Sequence, residues 1–374
     1  MGNRTIRHLV LALLILACAW WSLAAAQARD AEAAAAETAY PNAHLLATPE
    51  WLAAHRDEVI VVDVRTDEYY DGTVIPGAIR LPWSRFRADD KANLLASTFV
   101  GVDAAERILG AHGIARQAEV VLVDSVERDG GATASYVFWI LDMLGHPSKR
   151  VLEGGIDAWK AAGEPVEKTP ATLDPVTYAA PTEAVQRDRL IRGGFLRARL
   201  DDPHYQILDV RSPAEYTGKE GTRGMRGEPL KLGHIPGAYN IPYTRAWVDE
   251  QTKALKSIGE LRALYAGVAP DKTIVVYCNS GRRSSFSYFV LRLMGLPRVI
   301  TYEPSWKEWG LPANHFPVET QTNELPKKTG DWTQAAADAM QQPAGRTETT
   351  APETSAPDRS PDAQPEGGYV SCGG

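Results

Sequence analysis

At 374 residues with 44% hydrophobic side chains, the chain is long enough for two ordinary cores. Its formal charge of −7 excludes the broad positive field that a general nucleic-acid or acidic-lipid binder needs. Three cysteines without a Cys-x-x-Cys pair and eight scattered histidines exclude a disulfide framework and a zinc cage, so no metal or other cofactor is expected.

The chain opens with Arg4, Arg7 and His8, an uncharged run over 9–26, and small residues at Ala24-Ala25-Ala26 and Ala26-Gln27-Ala28. A basic end, an apolar middle and a small-residue cleavage site are the order of a secretory signal peptide. Residues 1–28 are therefore expected to be removed on export, leaving a periplasmic protein without membrane attachment. An uncleaved anchor is the alternative, because the apolar run falls just short of the ~20 residues that span a bilayer. Cys18 leaves with the signal, and Cys278 and Cys372 remain.

Beyond this segment the sequence is written twice. Residues 59–65 end in Asp63-Val64-Arg65 and lead through Glu68-Tyr69 to Ile75-Pro76-Gly77-Ala78. Residues 206–211 end in Asp209-Val210-Arg211 and lead through Glu215-Tyr216 to His234-Ile235-Pro236-Gly237-Ala238. The β-rich apolar runs 119–123 and 273–277 correspond, as strands buried on both faces of a parallel sheet would. Residues 136–144 and 285–294 read as helices, each stopped by a glycine, Gly145 or Gly295, with a proline two positions on. Further strands at 151–155 and 299–303 precede short helices containing Trp159 and Trp309. Strand and helix alternate, which predicts two α/β domains, each a mostly parallel sheet flanked by helices, at 44–167 and 182–318. A Pro/Thr/Ala-rich linker is expected at 168–181. From 319 to 374 Thr, Gln, Pro and Glu dominate, and this stretch is expected to be a disordered tail.

The Asp-Val-Arg start, the Ile-Pro-Gly-Ala turn, a cysteine closing a central strand and a Trp-containing last helix occur here in the order of the rhodanese family. The chain resembles that family over residues 44–318. Cys278-Asn279-Ser280-Gly281-Arg282-Arg283-Ser284-Ser285 is similar to the active loop of thiosulfate sulfurtransferases more than to that of mercaptopyruvate sulfurtransferases, which usually continues Gly-Val-Thr. Pro304 departs from the family's Asp-Gly-Ser-Trp phrase, and Val74 replaces the His before the first Ile-Pro-Gly. Alignment of 121–124 with 275–278 puts Asp124 at the cysteine position, and a carboxylate forms no persulfide. The first domain is thus expected to be catalytically silent and to supply part of the cleft wall, with Trp83 in the wall or the interface core.

A cysteine at the carboxyl end of a parallel strand, followed by a tight loop into a helix, sits where open α/β sheets bind ligands. Loop N–H groups and the helix start lower a thiol's pKa and stabilise an anionic persulfide. Gly281 can take the positive φ such a loop needs, and Arg282 and Arg283 add charge for an anionic donor. The expected reaction moves sulfane sulfur from thiosulfate to cyanide or a thiol through Cys278. Donor contacts are expected from Asn279, Ser280, Gly281, Arg282, Arg283 and Ser284, with Asp209 lining the cleft. Arg226, in the basic insertion 217–233, is the expected counterpart of a family substrate-binding arginine. Arg211 and Glu215 read as a structural ion pair, and His234 as a tie for its turn. A sulfur-relay or binding module is one rival. A cysteine phosphatase or arsenate reductase is the other, but it needs Cys, five residues, then Arg, and here Ser284 occupies that place.

Overall fold

The strands of the main sheet in each half pair in parallel. The computed structural model describes residues 39–327, so the expected signal at 1–28 and Cys372 lie outside the described residues. In the first half, β1 (Leu46–Ala47), β2 (Ile60–Asp63) and β3 (Ile79–Arg80) are followed by the antiparallel pair β4 (Arg87–Asp90) and β5 (Leu95–Phe99). With β6 (Val120–Val123) and β7 (Lys149–Leu152) the main sheet has the order β1-β7-β6-β2-β3. In the second half β8 (Tyr205–Asp209), β9 (Tyr239–Asn240), β10 (Thr273–Tyr277) and β11 (Val299–Thr301) form a sheet of order β11-β10-β8-β9. The chain leaves β8 toward β9 and returns on the other side as β10, so the connections diverge between β8 and β10. Ligands of open α/β sheets bind at such divergences, outside the carboxyl ends of the strands. The same place in the first sheet lies between β2 and β6.

The repeat is reproduced in register. Val61 pairs with Val121 as Ile207 pairs with Val275. The two expected helices begin earlier than the apolar pattern suggests, at Ala132–Met143 and Arg282–Leu293. Gly131 (φ 95°) and Gly281 (φ 90°) turn the chain into them, while the first turns are small or polar and carry no periodic apolar signal. Gly145 (φ 63°) and Gly295 (φ 94°) follow the last turns in the left-handed region, as expected.

Every residue of the Ala132–Met143 helix is buried, because its partner is the other domain's helix. Phe138 meets Phe289 edge to face at 5.0 Å, Ser285 Oγ reaches the Ala132 carbonyl at 3.4 Å, and Tyr288 donates to Asp142. Ala132 meets Ser285 at the starts and Asp142 meets Arg292 at the ends, so the pair runs in one direction. One apolar cluster extends from Val62 and Leu122 across this seam to Val276 and Leu291. A buried ring such as Phe289 is worth about 3–5 kcal/mol against alanine, which makes the seam a core rather than a hinge.

Residues 168–181 run over the first domain, with Val176 donating to Gly110 and Tyr178 stacked on His146. The tail differs from the expectation at its start: residues 319–327 are seated on the second domain. Glu319 pairs with the His234 backbone and accepts from the Gly237 N–H at 3.1 Å. Glu167 serves Val74 and Gly77 in the same way, the latter at 2.8 Å. Each Ile-Pro-Gly turn is thus closed by a glutamate that follows the last helix of its own domain, a pairing the tail's composition hides.

Candidate active site

Cys278 follows β10 and is 1% exposed. Its N–H donates to Ser305 Oγ at 3.0 Å, and that hydroxyl donates to the Tyr302 carbonyl at 2.7 Å, its oxygen 4.0 Å from the sulfur. Burial pushes the thiol up. The Arg283 charge, the N–H groups of Ser280 and Ser284 and the Ser284 hydroxyl outweigh it, and the thiol sits below its ordinary value. Ser284 also donates to the Gly281 carbonyl at 2.8 Å, so its single proton fixes the loop when it is not on the sulfur.

Both arginines of the loop are already answered by carboxylates. Arg283 makes a two-point pair with Glu215, at 2.7 and 2.8 Å, and Arg282 reaches across the seam to Asp129 at 3.1 Å. The expected Arg211–Glu215 pair is not formed. Arg211 lies instead on Asp209, Nη2 to Oδ2 at 2.6 Å, because the guanidinium folds back over its own strand end. Asp209 is wholly buried and takes a further bond from Tyr277 Oη at 2.6 Å, so its oxygens brace the strands. Arg65 repeats the arrangement with Asp63. His234 does tie its turn, Nδ1 lying 2.9 Å from the Tyr216 carbonyl with the two rings stacked.

Asn279 reaches Thr222 at 3.4 Å, and its carbonyl accepts from the Lys307 N–H at 3.0 Å. Ser280 is half-buried beside it. Arg226 is exposed on its loop, where its N–H donates to Glu228 at 2.8 Å; Thr222 is that loop's contact with Asn279.

Two groups of this neighbourhood, Glu303 and Lys307, carried no sequence signal. Glu303 is 1% exposed and accepts from Thr98 at 2.6 Å and Tyr136 at 2.9 Å, both from the first domain, with Arg87 Nη1 at 3.6 Å. A Cβ at Gly281 would stand 2.8 Å from the Glu303 Cγ, so this carboxylate backs the Cys278 loop. Lys307 lies close enough to feel Cys278, Glu303 and Arg87; burial and then Arg87 depress its ammonium. Among the described residues its Nζ makes one weak bond, to the Ala96 carbonyl at 3.4 Å, and no ion pair within 4.0 Å. Trp83 is buried in the wall, with the guanidinium carbons of Arg87, Arg128 and Arg282 5.1, 5.7 and 5.9 Å from its ring. Trp83 Nε1, Arg87 Nη1 and Asn279 Oδ1 are buried without hydrogen-bond partners. A reading of phrases could not find these contacts, because the carboxylate and the groups it binds lie about two hundred residues apart.

The departure at Pro304 is explained by the backbone. Pro304 has φ −62°, which its ring prefers, and Ser305 takes the positive φ of 56°. In the first domain Asp124 fills the loop that Cys278 occupies in the second. It accepts from the N–H groups of Ser125, Thr133 and Ala134 at 2.8, 2.9 and 3.1 Å and from the Thr133 hydroxyl, while burial pushes its carboxyl up.

A family model described as "Rhodanese-like domain" matches residues 48–162 and again 194–311. A Thermus thermophilus protein named "Sulfur carrier protein TtuD" is 34% identical over 283 residues, 72% of this chain and 95% of its own. A Mycobacterium tuberculosis protein named "Putative thiosulfate sulfurtransferase SseA" is 34% identical over 284 residues, covering 73% and 90%. Among solved structures, that titled "The wildtype structure of EanB" superposes with a TM-score of 0.64 at 22% identity, covering 75% of this chain and 70% of that one. That likeness shows the fold alone. The tandem match and the length of the shared sequence place this chain in the rhodanese family, as a two-domain member whose relatives are sulfurtransferases and sulfur carriers.

Proposed function

We propose that the protein transfers the sulfane sulfur of thiosulfate to cyanide or to a thiol, through a persulfide on Cys278, and that it works outside the cytoplasm after export. The observation that carries this reading is the thiol itself, held below its ordinary value at the start of a twelve-residue helix. Cys278 Sγ attacks the outer sulfur of thiosulfate; the sulfur–sulfur bond breaks and sulfite leaves with the electron pair. The acceptor then attacks the outer sulfur of the persulfide and restores the thiolate.

The loop's N–H groups stabilise the anion in both states. Because Arg282 and Arg283 are paired with carboxylates, the positive charge still open to a dianionic donor is that of Lys307, with Trp83 Nε1 as a further unspent donor. Thiosulfate therefore suits the site better than 3-mercaptopyruvate, which has one fewer charge. The name of the Thermus relative supports a second reading, in which the acceptor is a protein thiol and cyanide only reports the persulfide. Phosphatase chemistry is disfavoured: both outer nitrogens of Arg283 are given to Glu215, and Ser284 stands where the oxyanion arginine is needed.

Intact mass after incubation with thiosulfate tests the proposal. The wild type gains one sulfur atom and sheds it to cyanide, and Cys278→Ser gains none. A wild type that gains no sulfur, or turnover retained in Cys278→Ser, overturns it.

A further inference from the structure

At the end of the helix pair remote from Cys278, the two domains enclose a second polar cavity of about 420 Å³. Ten residues of helix separate Arg282 from Arg292, about 15 Å of rise. Lys149, Arg150, Arg189 and Arg292 line this cavity, together with His44 and a single carboxylate, Asp142. Lys149 Nζ lies 2.9 Å from Asp142 Oδ1; Arg189 Nη1 and Arg292 Nε lie 3.2 and 3.4 Å from Oδ2, to which Tyr288 also donates. One carboxylate thus answers three cations. Arg150 has its own partner in Glu119 at 2.7 Å.

Two helix C-termini meet here, and each contributes roughly half a negative charge. Even with these and both carboxylates counted, the lining keeps a positive excess, in a chain whose overall charge is −7. Holding cations together without full compensation costs stability, so packing alone gives no reason for it. Donors are also left over. Arg292 Nε is buried without a hydrogen bond, and among the described residues the Nη2 groups of Arg150, Arg189 and Arg292 make none. The field reaches His44, whose imidazole is held down by burial and then by Arg150, Lys149 and Arg292.

We propose that this cavity is a second anion site, separate from the Cys278 loop, for a small molecule bearing a doubly charged tetrahedral oxyanion group such as a phosphate monoester. Guanidinium forks match the oxygens of such a group two at a time. The cavity falls within the roughly 300–1,000 Å³ of small-molecule sites, which leaves room for an organic body on the oxyanion. Because its lining comes from both domains, an occupant ties the seam at the end opposite the chemistry.

The test uses the full chain with inorganic phosphate and with glycerol phosphate as probes, so that a free oxyanion and an esterified one are compared. Calorimetric titration at low ionic strength is expected to give binding that Arg292→Gln weakens at least tenfold, that Arg292→Lys partly restores, and that Cys278→Ser leaves unchanged. Tighter binding of glycerol phosphate assigns the site to esterified ligands, and equal binding to the bare oxyanion; both outcomes support the proposal. NMR titration of His44 locates the event, since an anion beside it raises its pKa. A crystal soaked in selenate supplies a readout independent of any variant, with an anomalous peak expected between Lys149, Arg189 and Arg292. Binding unaffected by Arg292→Gln, a His44 pKa that ignores saturating phosphate, or selenate found at the Cys278 loop alone overturns the proposal.

Discussion

Arg283 grips Glu215 at two points, 2.7 and 2.8 Å, from a place where its charge also lowers the Cys278 thiol. Glu215 therefore acts on the Cys278 thiol at one remove, by deciding where the guanidinium sits. The pair also has a signature in acid. Its carboxyl lies at about 2 in the folded chain, since Arg283 and the Ser212 N–H outweigh the burial that pushes it up, against an ordinary value near 4.5. A depressed carboxyl stabilises the fold above its unfolded pKa and ceases to do so as pH falls through the folded one. Between about pH 5 and pH 2 the wild type is expected to lose about 3 kcal/mol that Glu215→Gln does not lose. Denaturant unfolding at several pH values measures this, and parallel losses in the two proteins would refute it.

Arg283 and Lys307 are expected to fail in different ways. Arg283→Gln removes the charge that lowers the thiol, so the acid limb of kcat/KM for thiosulfate should move to higher pH. Lys307→Met should leave that limb nearly in place and raise KM roughly ten- to a hundredfold, because the proposed donor is dianionic and the lost charge has no carboxylate partner among the described residues. A pH–rate profile of each variant makes the comparison. Identical profiles and KM values would show that the two cations are not divided in this way.

Gly281→Ala tests the backing of the loop. The position has φ 90°, and the new methyl would lie 2.8 Å from the Glu303 side chain, which Thr98 and Tyr136 hold in place. A loss of about 2 kcal/mol or more and at least a tenfold fall in turnover are expected. Thermal melts and thiocyanate assays read both. Near-wild-type turnover would mean that Glu303 yields.

Asp124→Ala should separate stability from chemistry. It strands three N–H groups that now end on the carboxylate, at a cost of about 1–3 kcal/mol, yet turnover at Cys278 should stay within about twofold. A lowered Tm with unchanged kcat is the expected pair of results, and a collapse of kcat in folded protein would give the first domain a part in the reaction.

Much of this was legible because parallel strands buried on both faces leave compact apolar runs, and the repeat set each run beside its counterpart. The residues from Thr273 to Tyr277 form the strand read from the sequence, and Gly281 and Gly145 take the left-handed backbone assigned to them. What escaped were partnerships. Arg211 was read as the partner of Glu215, and the path of the strand end gives it to Asp209 instead. The β4–β5 hairpin has no alternating pattern, yet it carries Thr98 to Glu303. Lys307 drew no reading from the sequence, because its setting depends on Ala96 and Arg87 of the other domain.

The shared direction of the two long helices has a further consequence. The Asp124 loop precedes the start of one and the Cys278 loop the start of the other, so both open toward the same end of the molecule. The first of these loops is the longer, since the helical turn Val126–Asp129 stands between Asp124 and Ala132, where Cys278 leads almost directly to Arg282. Tyr136 and Arg87 of the first half reach the second half's Glu303, and Trp83 its Arg282, so the shorter loop is furnished from across the seam.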